Sequence, residues 1–161
     1  MTIETLAALA TFAAMFGALF AAHSVGDHWI QTHHQACAKG APTAAGRLAC
    51  ARHVVTLTGT KMIALGLVML VTGLRLDGPW LCAGLLVDAL SHYWADRAAS
   101  HEDRTTKVTL ERLAERLKKN GFYGLGDRLT APTGTGSYAL DQSWHIGWLF
   151  IAALIIAGGS S

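Results

Sequence analysis

Imidazoles and carboxylates recur four residues apart in this chain: His23 and Asp27, then Asp88, His92 and Asp96, then Asp141 and His145, with His53 standing alone. On a helix, residues four apart lie one above the other on one face, so each set can turn toward a common axis. Mixed imidazole and carboxylate donors suit divalent transition ions such as Zn, Mn or Fe, and helix bundles house such sites between facing helices. The candidate ligands are His23, Asp27, His53, His92, Asp96, Asp141 and His145. They outnumber what one tetrahedral ion needs, which points to two ions, or to one ion with carboxylates that orient its imidazoles. A purely structural ion, and polar residues that merely end helices at a membrane surface, are the alternatives to a working site.

The elements that carry these residues are apolar. The chain has 161 residues, 52% of them hydrophobic, and a mean hydropathy of +0.33, too apolar for an ordinary soluble protein of this size. Four stretches, at about 5–30, 53–74, 78–96 and 139–159, read as transmembrane helices. The expected fold is an all-α membrane protein, a four-transmembrane-helix bundle forming a single integral-membrane domain over 1–161. The first stretch has only Glu4 as a charge before it, no basic leader and no A-x-A site after it, so it reads as retained and not as a secretory signal. In the long loop at 97–138, Val108, Leu110, Leu113, Ala114 and Leu117 fall near helical spacing, which predicts a short amphipathic helix between the third and fourth spans.

Charge bias orients the bundle. The segment between the first two spans carries Lys39, Arg47 and Arg52 and no acid, and the loop at 97–138 carries eight Lys/Arg against five Asp/Glu. The positive-inside tendency places both loops in the cytoplasm and both termini outside, as expected of a multi-pass protein of a bacterial inner membrane. That topology brings the His and Asp residues of all four helices to the cytoplasmic side. A net charge of +2 gives no nucleic-acid footprint, and three cysteines give no disulfide framework.

Lys61 lies eight residues beyond His53, about 12 Å deeper at 1.5 Å per residue. Asp88 lies eight residues before Asp96, at matching depth, so an ion pair is the natural way to hold both in a membrane. The other reading has Lys61 reaching an anionic substrate. A rival metal site is the run His34-x2-Cys37-x12-Cys50-x2-His53, whose spacing is that of a small zinc knuckle and which would compete for His53. Trp29, Trp80, Trp94, Trp144 and Trp148 cluster near the span ends as an aromatic belt, and Gly59, Gly66, Gly73 and Gly84 offer close helix contacts. Nucleophile-elbow, Walker and dinucleotide signatures are missing from the sequence.

The string from His23 through Gly26, Asp27 and Gln31, the lone His53, the His92–Asp96 step and the Asp141-Gln142-Ser143-Trp144-His145 run together resemble a bacterial family of small integral-membrane proteins of unknown function. That family carries the pattern HxxGDxxxQ, H, HxxxD and DQxxH, and the resemblance covers nearly the whole chain. It resembles, more distantly, membrane-bound metal-dependent hydrolases that place His and Asp at helix ends. The chain departs from the family by lacking a Lys shortly after Asp96, where Arg97 stands, and by adding Cys37 and Cys50.

The functional expectation is a metal-dependent hydrolase-like protein. A divalent ion would lower the pKa of a water, Gln31 and Gln142 would position water or substrate, and Lys61 would stabilise developing negative charge. A phosphoester or a lipid head group is the expected substrate, because the site lies at headgroup depth beside basic loops. The bilayer is the expected partner, and a homo-oligomer is compatible with it. The alternative is a non-enzymatic metal-binding or ion- or proton-conducting protein, which requires polar residues to continue through the membrane.

Overall fold

The computed structural model describes residues 1–98 and 136–159. Within them the chain is helical: α1 (Ile3–Val25), a π-helical turn (Gly26–Ile30), α2 (His33–Ala38), α3 (Ala44–Thr72), α4 (Gly78–Ala98) and α5 (Gly136–Gly158). No strand occurs among the described residues. The amphipathic helix expected around 108–119 lies outside them.

Local chemistry sets the helix ends. The Thr2 hydroxyl accepts the Thr5 N–H at 3.2 Å to open α1, and the Thr43 hydroxyl accepts the Gly46 N–H at 3.1 Å to open α3. Thr32 and Gln35 form a reciprocal capping box on α2. The Asp77 carboxylate accepts the Trp80 N–H at 3.2 Å in the first turn of α4, where Pro79 has no N–H to satisfy. Gly73 ends α3 at φ 70°, a conformation strained for any residue with a Cβ.

All four stretches read as spans are helical, and α3 starts at Ala44, ahead of the expected span start at His53. Among the described residues, two helices are long and apolar enough to cross a membrane: α1 continued by its π turn, Ile3–Ile30, and α3, Ala44–Thr72. At 28 and 29 residues each exceeds the roughly 20 that a hydrocarbon core requires. α1 packs on α3 and α5, and α4 packs on the same two helices. Chain direction alternates along α1, α3, α4 and α5, so the end of α1 and α4 meets the start of α3 and α5.

Burial is distributed in an unusual way. Large apolar side chains point outward, Val55, Met62, Ile63, Leu67, Leu70 and Val71 on α3 among them, while His23, His53, Lys61, Asp88, His92, Asp96 and His145 are buried. A globular protein in water does the reverse. The apolar interior fills the other half of the helix packing: Met15 and Leu19 of α1, Leu65 of α3, Leu85 of α4, and Leu149, Ala152, Ala153 and Ile156 of α5. Phe150 meets Phe12 and Phe16 edge to face, with ring centroids 5.2 and 6.0 Å apart.

Two glycines allow the helices to approach this closely. A Cβ on Gly26 would fall on the Leu57 side chain of α3, and one on Gly84 would lie 2.8 Å from the Ala152 carbonyl oxygen of α5. Gly59 and Gly66 face open space, so the close contacts expected of them are not made.

Candidate metal centre

Helix direction brings the polar residues to one end. His23 occupies the last turn of α1, Asp27 the π turn that follows, His53 the first third of α3, His92 and Asp96 the end of α4, and His145 the first half of α5. A π turn inserts a residue into the helical register and re-aims the side chains it carries, a device common at functional sites. Here the Gln31 N–H closes it on the Gly26 carbonyl at 2.9 Å, with Asp27 inside it.

At the centre, His53 Nε2 and His92 Nε2 stand 3.0 Å apart. Asp27 Oδ1 lies 3.2 Å from the first and 3.9 Å from the second, while Asp96 Oδ2 lies 3.6 and 3.3 Å from them. An ion with ligand bonds of roughly 2.0–2.2 Å in tetrahedral array spaces its donors about 3.3–3.6 Å apart; the two Asp96 separations fall in that range, and those among Asp27, His53 and His92 lie on either side of it. Asp27, His53 and His92 form one group that could hold a metal ion, and His92, Asp96 and His145 form a second. His92 belongs to both.

The polar atoms are otherwise poorly satisfied. Asp27 Oδ1, Asp96 Oδ2, both ring nitrogens of His23, and Nδ1 of His53 and His92 are buried without a hydrogen bond among the described residues. Buried polar groups are nearly always bonded, and donor atoms placed like these suit a bound ion or water. His23 Nε2 lies 3.4 Å from Asp27 Oδ2. The His145 ring stacks on His92 with centroids 4.0 Å apart and stands 5.1 Å from His23.

The remaining candidates sit around this cluster. Asp141 is less buried and lies 3.5 Å from His145 Nε2 through Oδ1, and its Oδ2 accepts the Gln142 side-chain N–H at 3.4 Å. Gln31 is partly buried, and its Nε2 has no hydrogen-bond partner among the described residues. Lys61 is fully buried with its ammonium 2.6 Å from Asp88 Oδ2, which is the ion pair and not the substrate contact among its two readings. Trp94, Trp144 and Trp148 pack together beside the cluster's helices, with centroid separations of 4.8 and 5.8 Å.

The zinc-knuckle spacing is not realised. Cys37 is exposed with Sγ 3.5 Å from His33 Nε2, while the buried Cys50 thiol donates to the Tyr93 carbonyl at 3.8 Å and His53 faces the cluster.

Two contributors escaped the sequence reading. The Lys39 ammonium, from the turn after α2, reaches Asp96 Oδ1 at 2.7 Å. Arg97 spends its Nη1 on the carbonyls of Lys39 and Ala41, at 2.9 and 2.6 Å. His28 is the second. Its Nδ1–H donates to the Ser24 carbonyl at 2.8 Å, which leaves Nε2 to accept from the Tyr138 hydroxyl at 3.0 Å and joins the π turn to α5. Basic residues near a carboxylate are the only sequence signal for Lys39, and nothing in the spacing marks His28.

Comparison of the chain with protein-family models, with curated proteins and with solved structures found no match.

Proposed function

We propose that the chain is a four-span protein of a bacterial inner membrane, with both termini outside, that holds one or two divalent ions at the cytoplasmic ends of its helices and hydrolyses a phosphoester or a lipid head group. The observation that carries the reading is the gathering of two carboxylates on a pair of imidazoles: His53 and His92 stand 3.0 Å apart, and Asp27 and Asp96 each bring an oxygen to within 3.2 to 3.9 Å of both. His23 and His145 flank that group, and these six residues all belong to the motifs that resemble the integral-membrane family.

The membrane assignment draws on the outward-facing apolar side chains and the two helices that meet the length and composition of a span. The reading of α4 and α5 as spans draws on their packing: α4 lies against α3, α5 against α1, and the two against each other, so they complete one bundle with the two apolar helices. The basic loops support a cytoplasmic cluster through the positive-inside tendency.

A divalent ion held by these residues supplies Lewis acidity and a water that loses its proton near neutral pH. The chain's own part is positional. Asp27 and Asp96 bring negative charge from opposite helices, the stacked His92 and His145 rings fix each other's planes, and Gln31 offers an unused amide N–H for water or substrate. Asp141 orients His145 from its exposed side, the usual task of a carboxylate behind a ligating imidazole. Beyond the Lys61–Asp88 pair the interior turns apolar, from Leu65 and Leu85 to Ile156, which disfavours a conducting path through one copy of the chain.

The test is phosphate release by the detergent-purified protein from p-nitrophenyl phosphate and from phosphatidic acid in vesicles. Hydrolysis that requires Mn2+ or Zn2+ and disappears in a folded His92→Ala variant is expected. A metal-loaded, folded wild type that releases no phosphate from either substrate contradicts the hydrolase and favours the metal-binding alternative.

A further inference from the structure

Lys39 is held in place more firmly than a surface lysine needs to be. The turn that carries it lies against the first turn of α3, where Gly46 is buried and a Cβ would strike the Ala41 carbonyl oxygen. The Ala41 N–H closes the turn on the Ala38 carbonyl at 3.0 Å, and Arg97 clamps it from α4 through the Lys39 and Ala41 carbonyls. Three elements thus deliver one ammonium to Asp96.

The division of labour on Asp96 is informative. Oδ1 takes Lys39, while Oδ2 faces His92 and His53 and has no hydrogen bond. An ion and the ammonium can therefore use the same carboxylate together. An ammonium has three donors, and one spent on Asp96 leaves two. The Lys39 side chain is 20% exposed against 3% for Asp96, so Lys39 is the more accessible partner of the pair. Charge points the same way: the carboxylates of Asp27, Asp96 and Asp141 against Lys39 and Arg97 leave one negative charge, and one divalent ion turns that into one positive.

We propose that Lys39 is the substrate-binding residue of this centre, fixed by Arg97 as a positioning residue, and that it binds the phosphate oxygens of a phosphoryl group lying against the ion. The proposal rests on the metal reading above. It assigns Lys39 the role that the sequence had left to Lys61, whose ammonium is committed to Asp88.

The experiment uses the full chain in detergent, loaded with Mn2+, and reads the 31P relaxation of added inorganic phosphate, which a nearby Mn2+ accelerates. Wild type is expected to give saturable relaxation. Lys39→Gln should keep its Mn2+ stoichiometry yet bind phosphate about tenfold or more weakly, as loss of a charged hydrogen bond implies, and Lys39→Arg should retain binding. A parallel arm with phosphatidic acid in nanodiscs separates the sources: relaxation of inorganic phosphate marks a soluble phosphate, and relaxation confined to the lipid marks a head group. Equal phosphate binding by wild type and Lys39→Gln overturns the proposal. Loss of Mn2+ from Lys39→Gln also overturns it, by making Lys39 a support for Asp96. Mn2+ uptake by wild type with no response in either arm removes this proposal and leaves the metal reading standing, whereas failure of wild type to take up Mn2+ removes both.

Discussion

Replacing Lys61 or Asp88 alone should damage the protein far more than replacing both. The ammonium and carboxylate are 0% and 3% exposed and 2.6 Å apart. At an effective dielectric of about 20 their attraction is about 6 kcal/mol, and burying each ion costs several kcal/mol, so the pair as a whole nearly balances. Removing one member strands the other: no second hydrogen bond to the Asp88 carboxylate occurs among the described residues, and the nearby Ser91 hydroxyl donates to the Asp88 backbone carbonyl instead. Lys61→Met and Asp88→Leu should each destabilise by about 3–5 kcal/mol, while the double variant lies within about 1–2 kcal/mol of wild type or above it. Denaturant unfolding in mixed micelles, followed by tryptophan fluorescence, gives the double-mutant cycle. Additive losses in the double variant would refute the argument, because they would mean that neither charge depends on the other.

Three further outcomes follow from the packing. Gly26→Ala forces Leu57 aside and should cost about 1–3 kcal/mol while weakening ion binding through Asp27; unchanged stability and unchanged ion affinity would remove the π turn's role in placing that carboxylate. Zn2+ at a free concentration of about 100 times its Kd should raise stability by about 2.7 kcal/mol, reversed by chelator, and a thermal shift that persists in His53→Ala would place the ion elsewhere. The exposed Cys37 should react with an impermeant maleimide in inverted membrane vesicles and not in intact cells, while the buried Cys50 reacts only after unfolding; labelling of Cys37 from outside the cell reverses the orientation.

What could be read from sequence was what helical period governs. A four-residue step puts two side chains on one face whatever the tertiary setting, so His23 with Asp27 and His92 with Asp96 were visible before any fold. Equal offsets from His53 and Asp96 likewise matched Lys61 to Asp88, because antiparallel helices rise by the same increment per residue. Features that depend on how a turn lies against its neighbours were not legible. Lys39 reaches Asp96 only because Gly46 admits the turn and Arg97 holds it, and neither shows as a period. The Cys37 and Cys50 spacing misled for the complementary reason. A knuckle needs both thiols on one tight loop, whereas the start of α3 carries Cys50 inward to Tyr93 and leaves Cys37 outside beside His33. The π turn was hidden too, since Gly26 reads as an ordinary small residue until Leu57 is packed against it.

Whether Asp27, His53, His92 and Asp96 hold an ion can be read from X-ray absorption on the detergent-purified chain, with the ion quantified by elemental analysis. At least one transition-metal equivalent per chain is expected, in a nitrogen and oxygen shell at about 2.0–2.2 Å with imidazole scattering beyond it, lost in a folded His53→Ala/His92→Ala variant. A wild-type protein that is metal-free as purified and takes up none from Zn2+-, Mn2+- or Fe2+-containing buffer would contradict it.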